Sequence, residues 1–206
     1  RGAGVSSSAA FELLVCEIFN RMYLGGRLNK VDKAIISQYA ENVYFGKPCG
    51  LLDQSGISLG GINKIDFGNP QVPVIEELKP AEGYTLVITN TGGSHAALTE
   101  HYAAIKSEML EVAAYFGKEC LRDLPYEQFF DGIRQLRGKV SERAILRAFH
   151  FYEENDRVDT AAEALRAGRI SDFLKAVGES GISSLNCLQN CYVPGSEEQG
   201  ITSALA

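Results

Sequence analysis

Apolar residues recur at helical spacing over residues 8–23, and Gly25-Gly26 then stops the run. A second helical pattern covers residues 30–45 and ends at Gly46 and Pro48, so the turn over residues 49–54 follows it directly. Residues 57–67, 72–78 and 84–90 are rich in β-branched and aromatic positions and are broken by Gly68-Asn69-Pro70 and Pro80-Ala81-Glu82-Gly83, which predicts three strands. From Leu98 onward the helical period returns, predicting helices over residues 98–116, 141–166 and 171–189, punctuated by Gly117, Gly138, Gly168 and Pro194-Gly195. No internal repeat or low-complexity stretch interrupts this order. Strands before residues 80–83 and helices after them read as an α+β chain, with a domain over residues 1–80 and another over residues 84–206.

The chemistry begins at the first residues, Gly2-Ala3-Gly4-Val5-Ser6-Ser7-Ser8-Ala9-Ala10. Glycines let a backbone curl with its N–H groups pointing inward, and a helix starting near Ser7 adds unpaired N–H donors and the positive end of its dipole. An anionic phosphate suits such a spot. No Gly-Lys-Ser/Thr follows and the third glycine of the dinucleotide fingerprint is missing, so serine hydroxyls would have to hold a magnesium ion against the phosphates. A loop whose serines merely cap the helix over residues 11–22 fits the same residues.

Composition narrows the classes. The chain has 206 residues, 45% hydrophobic and 22% charged, an ordinary balance for a folded domain. Its net charge of -6, from 20 basic and 26 acidic residues, has no basic stripe and argues against nonspecific nucleic-acid binding, leaving small ligands as the expected partners. Five cysteines with no Cys-x-x-Cys pair point to reduced thiols and a cytoplasmic protein. Cys187 and Cys191 are expected to share a helix face, and His95, His101 and His150 have no metal-ligand spacing. No signal peptide and no apolar run of membrane-spanning length is present in these residues, so no membrane partner is expected.

A second motif decides between the readings of the serine loop. Ala40-Glu41-Asn42 precedes Cys49-Gly50-Leu51-Leu52-Asp53-Gln54. Together with the opening loop, these residues resemble the signatures of the galactokinases of the GHMP small-molecule kinase superfamily: Gly-x-Gly-Leu-Ser-Ser-Ser-Ala, from which the chain departs only by Val5 for Leu, and Ala-Glu-Asn with Gly-x-x-Cys-Gly-Ile-Met-Asp-Gln. The resemblance implies a GHMP-kinase-like two-domain fold, present in part, with ATP and Mg2+. It places ATP phosphates on Gly2, Ala3, Gly4, Val5, Ser6, Ser7 and Ser8, magnesium on Ser8 and Glu41, and the catalytic base on Asp53. Gly50, Asp53 and Tyr102 would contact the sugar. The family's Arg-x-x-x-x-Gly-Glu-His-x-Asp and Gly-Gly-Gly-Phe-Gly-Gly segments are not among these residues, so the sequence is expected to be a fragment.

Read from chemistry, Asp53 just past Gly50 can accept the proton of a sugar hydroxyl at a cleft mouth, and it can equally be an ordinary turn aspartate. Glu41 near a helix C-terminus is disfavoured by the dipole unless a cation offsets the cost, although a solvent-facing glutamate fits too. The family's Ser-x-Tyr-Asn-x-Arg-Arg segment is replaced by Thr99-Glu100-His101-Tyr102-Ala103-Ala104-Ile105, in which only Tyr102 matches. That departure touches the identity of the sugar. Asn90-Thr91-Gly92-Gly93-Ser94-His95 reads as a polar turn. The expected activity is ATP-dependent phosphorylation of the anomeric hydroxyl of galactose, giving galactose 1-phosphate and ADP. A kinase of N-acetylgalactosamine, arabinose or a mevalonate-type alcohol, or a noncatalytic galactose and ATP sensor, stand as alternatives.

Overall fold

The computed structural model describes residues 5–91, 98–193 and 195–205. Its backbone divides into two compact units, Arg1–Glu82 and Gly83–Ala206.

The first unit opens with α1 (Ser7–Tyr23), whose N-cap residue Ser6 sits in left-handed backbone at φ 55° and makes no side-chain capping bond. The capping role open to the serines is therefore not taken up at the N-cap, and the first-turn N–H groups are left without it. Ala9 and Leu13 face inward, while Phe11, Leu14, Ile18 and Met22 are exposed. Buried Asn20 ends the helix: its carbonyl accepts the Leu24 and Gly26 N–H groups at 3.1 and 2.9 Å, and its Oδ1 accepts that of Leu28 at 3.1 Å. These bonds need the chain to reverse through left-handed Gly25 and Gly26.

Helix α2 (Lys30–Tyr39) starts with a capping box, in which Asn29 Oδ1 accepts the Asp32 N–H at 2.9 Å and Asp32 Oδ2 accepts the Asn29 N–H at 3.2 Å. The single helix expected over residues 30–45 is two segments, because the chain widens into a π-turn at Ala40–Tyr44. A wider turn rotates the side chains that follow it, and such turns often occur where a side chain has a task.

Residues 57–59, expected in a strand, belong instead to α3 (Leu52–Leu59). Helical bonding starts with Ser55 N–H on the Leu51 carbonyl and ends with Gly60 N–H on that of Gly56, both at 3.0 Å. Left-handed Gly60 and Gly61 separate this helix from the strand. Strands β1 (Ile62–Asp66) and β2 (Val74–Leu78) form an antiparallel hairpin in the register Ile62 to Leu78 and Asp66 to Val74. The third expected strand, over residues 84–90, does not form: Leu86, Val87 and Ile88 are exposed and no ladder among the described residues takes them in. A β-prone segment without a partner cannot satisfy its backbone as a strand.

The second unit is helical: α4 (Thr99–Tyr115), α5 (Tyr126–Leu136), α6 (Glu142–Arg166), α7 (Ile170–Ser183) and α8 (Gly200–Leu205). Val112, Ala113, Leu121, Leu124, Phe129, Leu136, Ala144, Ile145 and Ala148 make its core. Helix α5 was not expected, although Tyr126, Phe129, Ile133 and Leu136 have helical spacing. Its Gly132 allows a close approach, since a Cβ there would stand 2.4 Å from Phe116 Cζ. The helix expected to reach residue 189 changes at Ser184–Leu188 into a second π-turn, closed by left-handed Gln189. Cys187 lies in that turn and Cys191 beyond it, so they do not share a regular helix; all five cysteines are free thiols.

Candidate active site

Glu41 lies in the first π-turn, which folds its carboxylate inward to 5% exposure. Its Oε1 accepts Lys47 Nζ at 2.5 Å and its Oε2 accepts Gln54 Nε2 at 3.0 Å. The Cys49 thiol stands close enough to interact with the same carboxylate. Burial alone would raise the Glu41 pKa, but the interactions with Lys47, Cys49 and Gln54 outweigh it and hold the group below the usual carboxylate range. Fully buried Gln54 also reaches Glu12 Oε2 at 3.4 Å and Cys49 Sγ at 3.7 Å, while its own Oε1 has no hydrogen-bond partner among the described residues. Glu12 thus stands across Gln54 from Glu41, and burial, followed by the Glu41 charge, raises its pKa.

The loop between the π-turn and α3 is clamped at one peptide. Asn42 Oδ1 accepts the Cys49 N–H at 2.6 Å, and Asn42 Nδ2 and Gln38 Nε2 both donate to the Cys49 carbonyl at 3.2 Å. Two donors and an acceptor from α2 and the π-turn thereby define where α3 starts. Asp53 stands exposed in the first turn of α3, where the helix dipole favours a carboxylate, next to buried Gln54. Gly50 is exposed, has no positive φ, and a Cβ there would meet nothing within 4 Å. The turn's glycine requirement lies at Gly46, with φ 65°.

At the other side, Val5, Ser7 and Ser8 are exposed and Ser6 half-buried at the uncapped start of α1; Gly2, Ala3 and Gly4 lie outside the described residues. Ser8 is one turn before Glu12, so both project from one face of α1. Tyr102 belongs to the second unit, where its ring is 55% exposed on α4, and Gly92, Gly93, Ser94 and His95 of the polar turn lie outside the described residues. Sequence reasoning missed Glu12, Lys47, Gln38 and the role of Gln54. Gln54 was visible inside the motif; Lys47 had no signal beyond standing six residues from Glu41 across a turn.

Exposed serine hydroxyls and an ionised carboxylate are hard oxygen donors that fit magnesium, which takes one or two carboxylates and fills its shell with phosphates and water. No cluster of three or more His, Cys, Asp or Glu among the described residues offers a competing metal cage.

Residues 1–61 match the family described as the GHMP kinases N terminal domain. A galactokinase of Glaesserella parasuis is 32% identical over 181 residues, 86% of this chain and 46% of that protein. A galactokinase of Thermococcus kodakarensis is 28% identical over 197 residues, 96% of this chain and 53% of that protein. Among solved structures, Lactococcus lactis galactokinase complexed with galactose superposes with a TM-score of 0.76 at 27% identity, over 91% of this chain and 49% of that one. The chain therefore spans about half the length of the relatives it matches. Its first 61 residues match the N-terminal domain of the GHMP kinases, and most of the chain is similar to part of a galactokinase.

Proposed function

We propose that the protein containing this chain transfers the γ-phosphoryl group of ATP to the anomeric hydroxyl of galactose, giving galactose 1-phosphate and ADP. The relationship to galactokinases supports the substrate class, and the observation that carries the chemistry is Asp53, exposed at the start of a helix held by the Asn42 and Gln38 clamp. Asp53 takes the proton from the sugar hydroxyl as its oxygen bonds to the γ-phosphorus and the bond to the ADP oxygen breaks. Gly50, with open space where a side chain would stand, lets the sugar approach the backbone beside it. The residues from Gly2 to Ser8 hold the phosphates through backbone N–H groups at the start of α1. Magnesium, on Ser8 and Glu41, supplies neutralisation of phosphate charge when bound. Arg1–Glu82 is then a piece of the N-terminal kinase domain and Gly83–Ala206 a piece of the C-terminal one.

In the full-length protein, Asp53→Asn is expected to lower turnover on the order of a hundredfold or more while ATP binding, followed by calorimetry, persists. Near-normal turnover removes Asp53 from the role of base. ADP release measured with galactose, N-acetylgalactosamine, arabinose and mevalonate tests the acceptor; release with none of them rules out the kinase reading, and preference for another acceptor replaces galactose.

A further inference from the structure

Glu41 is a buried carboxylate paired with a lysine from the exposed part of its own loop rather than with a cation of the core. Lys47 is 53% exposed along its side chain while Glu41 is 6% exposed along its own, so the ammonium reaches down from solvent to the carboxylate. A carboxylate has about four acceptor positions. Lys47 and Gln54 occupy two of them here, one on each oxygen. A cation arriving with a nucleotide therefore meets a carboxylate that already has a counter-charge.

The loop is built so that this counter-charge can leave. The Lys47 N–H donates to the Glu41 carbonyl at 3.0 Å, and the Cys49 peptide is held by Asn42 and Gln38, so the backbone is tied independently of the lysine side chain. Water already reaches the Lys47 stem, and a freed ammonium would be solvated at once. Gln54 would go on holding the carboxylate in place.

We propose that Lys47 is an internal competitor for the metal site: it neutralises Glu41 before nucleotide arrives, swings into solvent when a divalent cation takes the carboxylate, and thereby weakens cation binding. This rests on the reading of Glu41 as a magnesium ligand. Lys47 acts only through Glu41, as a positioning residue. Removing its charge leaves a buried carboxylate without a counter-ion, a state that favours any cation able to reach it.

The test is Mn2+ titration of the full-length protein with a non-hydrolysable ATP analogue and no sugar, followed by electron paramagnetic resonance of free Mn2+. Lys47→Met is expected to tighten Mn2+ binding at least threefold, and Lys47→Arg, which keeps the charge, to stay within about twofold of the parent. The gain should vanish in the Glu41→Gln, Lys47→Met double variant, because both residues act on one ion. Should Lys47→Met fail to fold, Lys47→Gln, which loses the charge and keeps a donor, is read in the same way. Unchanged or weaker binding in the charge-removing variant, with Glu41→Gln weakening it as expected, overturns the competitor role and leaves the metal reading standing. Unchanged binding in Glu41→Gln itself overturns both, since the carboxylate would then hold no metal.

Discussion

Glu41 remains ionised in a buried position because Lys47 and Gln54 donate to it, and the groups around it feel its charge. The Cys49 thiol shows the effect most clearly: burial, reinforced by the Glu41 carboxylate, pushes its pKa up to about 11. The raised value stabilises the neutral thiol, so its reactivity stays low through pH 9 and climbs only as pH approaches about 11. At about pH 8 the thiolate population is roughly a hundredfold below that of an unperturbed cysteine. Alkylation of Cys49 by iodoacetamide at that pH, followed by peptide mass spectrometry, is expected to run at least about tenfold slower than that of a cysteine in a short peptide. An equal rate would mean that neither burial nor the Glu41 charge holds the thiol protonated. Asp53 and Glu41 stand out in the sequence because they fall inside a motif with defined spacing. Lys47 does not, since a lysine in a surface turn ordinarily points to water and only the path of the loop brings it back onto Glu41.

Among the elements, those with local signals were easiest to read. Asn29 and Asp32 show a capping box in four residues, and Ser141 caps α6 by accepting the Ala144 N–H at 3.0 Å. The π-turns had no such signal, because their widening follows from where Glu41 and the Arg147 partner Leu188 must be placed by packing. In the second unit, α4 and α6 are joined by Glu108, which accepts Arg143 Nε at 3.0 and 3.1 Å and Arg147 Nη1 at 3.0 Å. Burial works to raise the Glu108 pKa, and the two guanidinium groups override it and lower it. Arg147 is almost wholly buried and also donates from Nε to the Leu188 carbonyl at 3.0 Å. Glu108→Gln leaves that guanidinium without its counter-charge and is expected to cost about 3 kcal/mol in urea denaturation of the full-length protein. Glu142→Gln, which removes an exposed pair with Arg137, should cost less than about 1 kcal/mol in the same measurement. Equal losses in the two variants would show that the buried pairing contributes no more than a surface one.

On the scale of the whole molecule, the exposed apolar residues stand out. Phe11, Leu14, Ile18 and Met22 on α1, and Val43, Tyr44 and Phe45 at the π-turn, are all exposed. Apolar side chains gathered in this way offer a surface to which an apolar dye can bind. Residues 1–206 are therefore expected to enhance anilinonaphthalene sulfonate fluorescence several-fold over a folded monomeric reference protein of similar size at equal molar concentration. Fluorescence equal to that of the reference would mean that these side chains are not open to the dye. No helix among the described residues is long and apolar enough to cross a membrane. The sequence by itself determined what depends on neighbours along the chain: the start of α1 among its serines, the start of α2 after Asn29 and the helical periods, because capping and periodicity are set by residues within one or two turns. Tertiary structure decided what depends on distant partners. Residues 84–90 had the composition of a strand and found no ladder, residues 57–59 were drawn into α3, and Glu41 found Lys47 and Gln54 through the folding back of a loop. A strand or a buried ion pair exists only where the backbone brings its second half, and local preference cannot specify that path.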